Sequence, residues 1–382
     1  MLEMRCYFDN AATTKVSQTV LDEMLPCFSS DYGNPSASGK TGRDAARILY
    51  TSRSRIADAI RCDNREIIFT SGGTESDALA LLGVVLGAFS GKKHIISTRI
   101  EHKAVFATLE RIAACGLADV TYLAPDKNGI VSVDDFIREI RPETILASVM
   151  YANNETGMIQ PVSEIGKICR ERGILFHTDA VQAVGHIPVD VLSDNIDLMS
   201  ISAHKMHGPK GIGALYVRNG IRLQPILAGG NQERGLRPGT ENIPAIAGFG
   251  KAIQEAVARM PDTVGKVRLK RDRIIDVLTG TVPGTALNGA RDHRLPSNVN
   301  VSFEGVSGQQ LLMMLDMAGI EVSLGSACAA GSPEPSHVLE SMGIPADRVR
   351  SSLRITLSGY TTDEEVDRLL AVLPVLVEKL RA

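Results

Sequence analysis

The 382-residue sequence is 44% hydrophobic and 22% charged with a formal net charge of -3, the composition of an ordinary globular enzyme built as one large or two medium domains. That balance argues against a polyanion partner, and the most basic stretch, Lys266 to Arg273, alternates with apolar residues as the solvated face of a helix does. The six cysteines are scattered without a C-x-x-C pair, and the longest apolar run, Ala78 to Phe89, is too short and glycine-interrupted to cross a bilayer. Reduced thiols, a cytoplasmic setting and no membrane or direct nucleic-acid contact are therefore expected.

In chain order, β-rich runs at Glu66 to Thr70, His94 to Thr98, Val120 to Leu123, Thr144 to Met150, Ile174 to Thr178 and Asp197 to Ser202 alternate with helical patterns. Such alternation predicts a mainly parallel sheet covered by helices, with ligands at the C-terminal strand ends. A helix from about Ile243 to Met260 follows, and then a different pattern: helix Val264 to Leu278, strand Val299 to Phe303, helix Gly308 to Met317, and strands Glu321 to Ser323 and Leu353 to Leu357. The final helix starts at the Thr362-Asp363-Glu364-Glu365 cap signal, with Pro374 as an expected kink. The expected division is a large domain over 14–260 and a smaller α+β domain made of 1–13 and 261–382.

Five segments carry chemistry. Ser71-Gly72-Gly73-Thr74-Glu75 follows a strand and opens a helix, which makes an anion seat of its free N–H groups, although a glycine turn alone is more often punctuation. It matches neither G-x-G-x-x-G nor a Walker A loop. His177-Thr178-Asp179-Ala180-Val181-Gln182 sets an acid at the end of an apolar strand, where it needs a cationic partner such as a protonated pyridine nitrogen, or else serves as a helix cap. Ser202-Ala203-His204-Lys205 presents a lysine at a strand mouth, where desolvation favours the neutral amine that forms a Schiff base; the bland alternative is a snorkelling surface lysine. His204 and His207 lack a third ligand at useful spacing, so no metal is expected.

Cys328 lies in the small-residue segment Gly325-Ser326-Ala327-Cys328-Ala329-Ala330-Gly331, which gives its thiol access. Arg354 sits between apolar neighbours in a strand, with a fork suited to a carboxylate; an outward-facing arginine is the default alternative.

Taken in order, these segments resemble the NifS/IscS-type cysteine desulfurases of the class V aminotransferase group, within the fold-type I enzymes that depend on pyridoxal 5'-phosphate. The likeness also takes in Tyr7 to Thr14, Gly33-Asn34-Pro35-Ser36, Glu101-His102-Lys103-Ala104-Val105, Asn153-Asn154-Glu155-Thr156-Gly157 and Arg234 to Thr240, and so spans essentially the whole chain. The resemblance implies a seven-stranded, mainly parallel sheet in the large domain and a homodimer with shared active sites. It implies that Lys205 binds the cofactor aldehyde, His102 stacks on the pyridine ring and Asp179 pairs with the ring nitrogen. Gln182 and Asn154 would bond the phenolic oxygen or substrate. The phosphate would be held by Gly73, Thr74, Ser202 and His204, in the segment that includes Ala203, and by Thr240 of the partner subunit. Asn34 and Arg354 would hold the carboxylate of L-cysteine. Cys328 would take the sulfur as a persulfide, with Gly325 and Gly331 as hinges, and pass it to an acceptor.

Two departures bear on that acceptor. Leu324 stands where a serine often precedes the glycine of the cysteine loop, a change expected to be tolerated. The sequence ends soon after its last helix, without the tail that housekeeping members use on their scaffold, which leaves an IscU/NifU-like scaffold, where Cys328 would transiently ligate a cluster, and a thiolation enzyme both open. Selenocysteine lyase or another class V reaction is the alternative within enzymes. A non-catalytic partner protein is the alternative outside them, and the joint presence of Lys205, His102, Asp179 and Arg354 weighs against it.

Overall fold

The computed structural model describes residues 5–88, 91–324 and 335–382. Its strands, in chain order, are β1 (Cys6–Tyr7), β2 (Ile67–Thr70), β3 (His94–Thr98), β4 (Asp119–Leu123), β5 (Thr144–Ser148), β6 (Leu175–Asp179), β7 (Leu198–Ser202), β8 (Gly213–Val217), β9 (Thr285–Leu287), β10 (Asn298–Phe303), β11 (Ile320–Glu321), β12 (Ser323–Leu324) and β13 (Ser352–Thr356).

Seven of them form one sheet in the order β2-β8-β7-β6-β5-β3-β4. The pairs from β7 through β6, β5 and β3 to β4 are parallel, and β8 alone runs against its neighbours β2 and β7. This is the expected mainly parallel α/β sheet. β2, β3, β7 and β8 are buried along their whole length, as strands covered on both faces must be. The helix Gly73–Gly87 is equally enclosed, burying Leu79, Ala80, Leu81, Val84 and Val85, which accounts for an apolar run with no polar stripe.

β8 went unseen in the sequence because it follows a glycine turn and doubles back instead of crossing over through a helix. Gly213 begins it, and a Cβ there would lie 2.6 Å from the Ile201 carbonyl oxygen and 2.7 Å from Gly72 Cα. The glycine therefore lets the turn that opens the helix Gly73–Gly87 close down against the end of β7.

The second half of the chain builds an antiparallel sheet, β12-β13-β10-β9. The N-terminal segment joins it: β1 pairs in parallel with β11, and Cys6 and Phe8 pack in one core with Val267, Ile274, Val299, Leu353, Leu369 and Leu373. The expected strand over Glu321 to Ser323 is two short ones, because Ile320–Glu321 turns to β1 while Ser323–Leu324 turns to β13.

The two helices expected on either side of Pro261 are one helix of 39 residues, Ile243–Thr281. Its first part packs Ile246, Phe249 and Ile253 into the core of the large sheet, and its later part packs Val267, Ile274 and Leu278 into the second core. Burial at both ends outweighs the one hydrogen bond that a proline removes. The last helix, Asp363–Arg381, begins with a reciprocal capping box between Thr362 and Glu365 and runs through Pro374. Among the described residues no helix is long and apolar enough to cross a membrane.

Candidate functional site

Five segments leave the C-terminal ends of β2, β3, β5, β6 and β7 at one end of the sheet, where crossover topology gathers ligands, and Arg354 joins them from β13. They surround a cavity of about 280 Å³ whose walls include Gly73, Thr74, His102, Asn154, Asp179, Gln182, Ser202, His204, Lys205 and Arg354. Ala11 and Ala12, from the N-terminal segment, close one side.

Lys205 ends a single helical turn, Ala203–Lys205, that directly follows β7. Its Nζ donates to the carbonyl oxygens of Ala11 at 2.6 Å and Ala12 at 2.8 Å. Gln182 Nε2 donates to the same Ala11 oxygen at 3.1 Å, so the N-terminal segment is tied to the cavity by its backbone. His204 lies 3.2 Å from Thr13 Oγ1 through Nδ1, and burial, with Lys205 and Lys210 nearby, pushes its pKa down to about 4. It is therefore a neutral imidazole at physiological pH.

Thr74 lies in the first turn of Gly73–Gly87, whose N-cap, Gly72, supplies no side-chain cap. The helix thus offers backbone N–H groups and its positive end to the cavity. A Cβ on Gly73 would come within 2.9 Å of Val181 Cγ2, so a glycine fits where the helix start meets the segment after β6.

Across the cavity, Asp179 is 7% exposed and its Oδ1 accepts from the Val181 N–H at 2.9 Å. Burial pushes its pKa up, while His102, the Val181 N–H and Lys205 pull it back. His102 caps the helix Lys103–Ala114 by accepting from the Ala104 N–H at 3.2 Å through Nδ1, which leaves its proton on Nε2. Asp77, one turn into the helix Gly73–Gly87, is 1% exposed, and among the described residues neither of its carboxylate oxygens has a well-aligned hydrogen-bond partner, the Ser200 hydroxyl being a nearby polar group that favours its charge. One ligating atom from each of Asp77, His102 and Asp179 lies within 4.8 Å of the others.

Two further acids sit behind this wall. Glu101 Oε1 accepts from Thr98 Oγ1 at 2.8 Å and the Met150 N–H at 2.9 Å, and burial raises its pKa to about 8. Glu155 accepts from the Ser336 hydroxyl and is raised by burial to about 7, against the pull of Arg354, Lys103 and His102. Arg354, 1% exposed, is not the outward-facing alternative: Nη2 donates to Asp9 Oδ1 at 2.7 Å and Nη1 to the Asn154 carbonyl at 3.0 Å.

Of the residues singled out in the sequence, Gly73, Thr74, His102, Asn154, Asp179, Gln182, Ser202, His204, Lys205 and Arg354 share this cavity. Ala203 is buried beneath it. Asn34 and Thr240 are exposed and line none of it within the one chain; Asn34 Oδ1 accepts from the Ser36 N–H at 2.9 Å. Cys328, with Gly325 and Gly331, lies outside the described residues. Asp77, Glu101, Asp9 and the carbonyls of Ala11 and Ala12 were missed. Asp77 closely follows Thr74, Glu75 and Ser76 at the start of its helix, so no signal in the sequence set it apart.

Residues 6–369 match the aminotransferase class-V family. A cysteine desulfurase IscS from Methanosarcina thermophila is 48% identical over 375 residues, which cover 98% of this chain and 92% of that one. Among solved structures, a NifS-like protein superposes with a TM-score of 0.93 at 36% identity, covering 98% of this chain and all of the other. SspA in complex with cysteine gives a TM-score of 0.82 at 37% identity over 94% of this chain and all of that one.

Proposed function

Because the chain belongs to the class-V aminotransferase family, we propose that it is a cysteine desulfurase, converting L-cysteine to L-alanine and passing the sulfur to Cys328. The observation that carries this reading is the one cavity shared by an amine, a buried acid, a helix N-terminus and a buried guanidinium: Lys205, Asp179, Gly73 with Thr74, and Arg354.

That donor set fits pyridoxal 5'-phosphate. The N–H groups at Gly73 and Thr74, with Ser202 and His204, suit a phosphate dianion. Asp179 suits a protonated ring nitrogen, because a buried carboxylate with one N–H donor gains from a cation. When bound, the cofactor supplies an aldehyde that condenses with an amine and a ring that stabilises negative charge at the adjacent carbon.

The chain's own residues do the rest. Lys205 Nζ would hold the aldehyde of the cofactor, and from the same position its amine could accept or return a proton. His102, with Nδ1 held by the Ala104 N–H, keeps its ring oriented and its proton on Nε2, facing the cavity. Gln182 and Asn154 would hold the phenolic oxygen or the substrate, and Arg354 would bind the substrate carboxylate; Asn34, assigned there by family resemblance, does not line the cavity in its own chain and would have to approach it. The Cys328 thiolate forms a bond to the substrate sulfur as the carbon–sulfur bond breaks, which leaves a persulfide on the protein and, after protonation of the carbon, alanine.

We assign residues 14–260 to a cofactor-binding domain and residues 1–13 with 261–382 to a small domain that carries Cys328. We further propose a homodimer in which Thr240 of the partner subunit completes the phosphate site, since Thr240 is exposed and lines no part of the cavity in its own chain. The setting is cytoplasmic, with free thiols. The sulfur leaves to an acceptor protein, a scaffold of the IscU/NifU type or a thiolation enzyme.

The test is Cys328→Ser in the purified protein supplied with pyridoxal phosphate. The variant keeps the yellow cofactor absorbance and loses release of sulfide and alanine from cysteine. Unchanged turnover would overturn the assignment.

A further inference from the structure

Asp77 belongs to no role derived above, yet it is the most isolated ionisable group in the cavity wall. It is 1% exposed, neither oxygen has a well-aligned hydrogen-bond partner among the described residues although the Ser200 hydroxyl lies close enough to lower its pKa, and it lies within 4.8 Å of ligating atoms on Asp179 and His102. A buried carboxylate in that state is either ionised at great cost or protonated.

The groups facing it decide which. From β6 come Asp179 and His177, from the segment after β3 come Glu101 and His102, and from β7 comes the Ser200 hydroxyl, whose pull on the Asp77 charge is smaller than the effects of burial and of Asp179. Two of the four ionisable neighbours are acids that raise its pKa further. His177 Nε2 is 3.7 Å from Asp77 Oδ1, but burial drives the pKa of His177 down to about 3, and its two nitrogens already meet Ser148 Oγ at 2.9 Å and Ser200 Oγ at 3.1 Å. It stays neutral and gives Asp77 no counter-charge. Asp179, by contrast, has the Val181 N–H and the fields of His102 and Lys205 on its side. Two carboxylates this close in a dry wall do not both ionise, and the better-solvated one keeps the charge.

We propose that Asp77 is a positioning residue for Asp179: it holds the proton of the two-carboxylate pair, so that Asp179 alone carries the charge that meets the ring nitrogen of the cofactor. The inference rests on the proposed function for the identity of that ring. Neutral Asp77 gives Asp179 a polar neighbour that neither repels it nor competes for the cation. It also confines the pair's charge to the cavity side of the wall.

The experiment compares the full-length wild type with Asp77→Asn and Asp77→Ala, each with pyridoxal phosphate bound. Asn matches a protonated acid in shape and cannot ionise. Infrared difference spectra at neutral pH show a carboxylic-acid carbonyl stretch in the wild type that disappears in Asp77→Asn. In the same set, Asp77→Ala weakens cofactor affinity about tenfold, the scale of losing a polar neighbour to a buried charge, while Asp77→Asn restores it to within about twofold. A purely structural role would instead lower the thermal midpoint of both variants with no such split in affinity.

Infrared spectra of wild type and Asp77→Asn that do not differ in the carboxylic-acid carbonyl region would overturn the proposal, since Asp77 would then be ionised. Equal affinity in all three proteins would overturn it as well. A wild type that never takes up the cofactor would overturn the functional reading instead, and the infrared band separates that failure from this one because it is read on the protein itself.

Discussion

Arg354 Nη2 and Asp9 Oδ1 meet at 2.7 Å although 345 residues separate them in sequence, and the ion pair spans the junction between the N-terminal segment and β13. Arg354 is 1% exposed, its Nη1 is held by the Asn154 carbonyl and its Nε has no partner among the described residues. Two of the five guanidinium N–H groups are thus taken and Nε is buried, so a substrate carboxylate is left the remaining Nη hydrogens and shares the guanidinium with an acid already bound. Asp9→Asn keeps an acceptor oxygen but removes that competing charge. It is expected to lower the KM for cysteine by about threefold, the scale of one screened ion pair, with the cofactor absorbance unchanged. A raised KM would show that Asp9 aims Arg354 and does not compete with substrate.

The same geometry makes lysine a poor replacement for Arg354. A single ammonium cannot reach Asp9, the Asn154 carbonyl and a substrate carboxylate together, whereas the guanidinium fork has separate donors for each. Arg354→Lys is expected to raise the KM for cysteine by about tenfold or more, measured by alanine release, while cofactor content stays at the wild-type level.

Gly213 predicts a different phenotype. Both atoms that a new Cβ would strike, the Ile201 carbonyl oxygen and Gly72 Cα, belong to backbone, so relief comes only from moving β7 or the turn before the helix Gly73–Gly87. Gly213→Ala is expected to destabilise the fold by about 1–3 kcal/mol, the cost of overpacking. Pyridoxal phosphate affinity should fall with it, because the displaced turn leads into Gly73 and Thr74. Chemical denaturation and cofactor titration on the same preparation check both.

What the sequence disclosed follows from where chemistry sits. Lys205, His204, Ser202 and Asp179 were legible because each ends or directly follows an apolar strand whose length and composition stand out locally. Asp77 was not, since its helix is buried on nearly every side and so has no polar face against which a misplaced acid would show. The lysine's partners were out of reach for another reason: the Ala11 and Ala12 oxygens are backbone, and any residue type could supply them. Asn34 and Thr240 were named by resemblance alone, and in a single chain neither reaches the cavity. β8 escaped because the alternation rule expects a helix between neighbouring strands of a parallel sheet, and a glycine turn stands there instead. A break between Met260 and Val264 is expected from the sequence because local rules do not weigh two cores pulling on one helix.

Glu101 gives a pH dependence whose sign can be fixed. Its pKa is raised by burial from the ordinary 4.5 to about 8, so the folded protein keeps a proton that the unfolded chain gives up in mildly acidic solution. The contribution of this group to stability is complete below pH 4.5 and declines as pH rises towards about 8, where the folded side chain ionises too. Buried His177 and His186, with pKa values pushed down to about 3 and about 4, act in the opposite sense, making stability rise with pH up to the unfolded histidine value near 6.5. The bare pH profile of the wild type mixes the two. Glu101→Gln separates them: the amide oxygen can still accept from Thr98 Oγ1 and the Met150 N–H, and nothing remains to ionise. The free energy of unfolding of the variant relative to wild type is expected to increase between pH 5 and pH 8, by on the order of 2 kcal/mol. Urea melts at the two pH values measure it, and a difference that stays flat across the interval would mean that Glu101 is ionised throughout and finds a counter-charge in the wall behind Asp179.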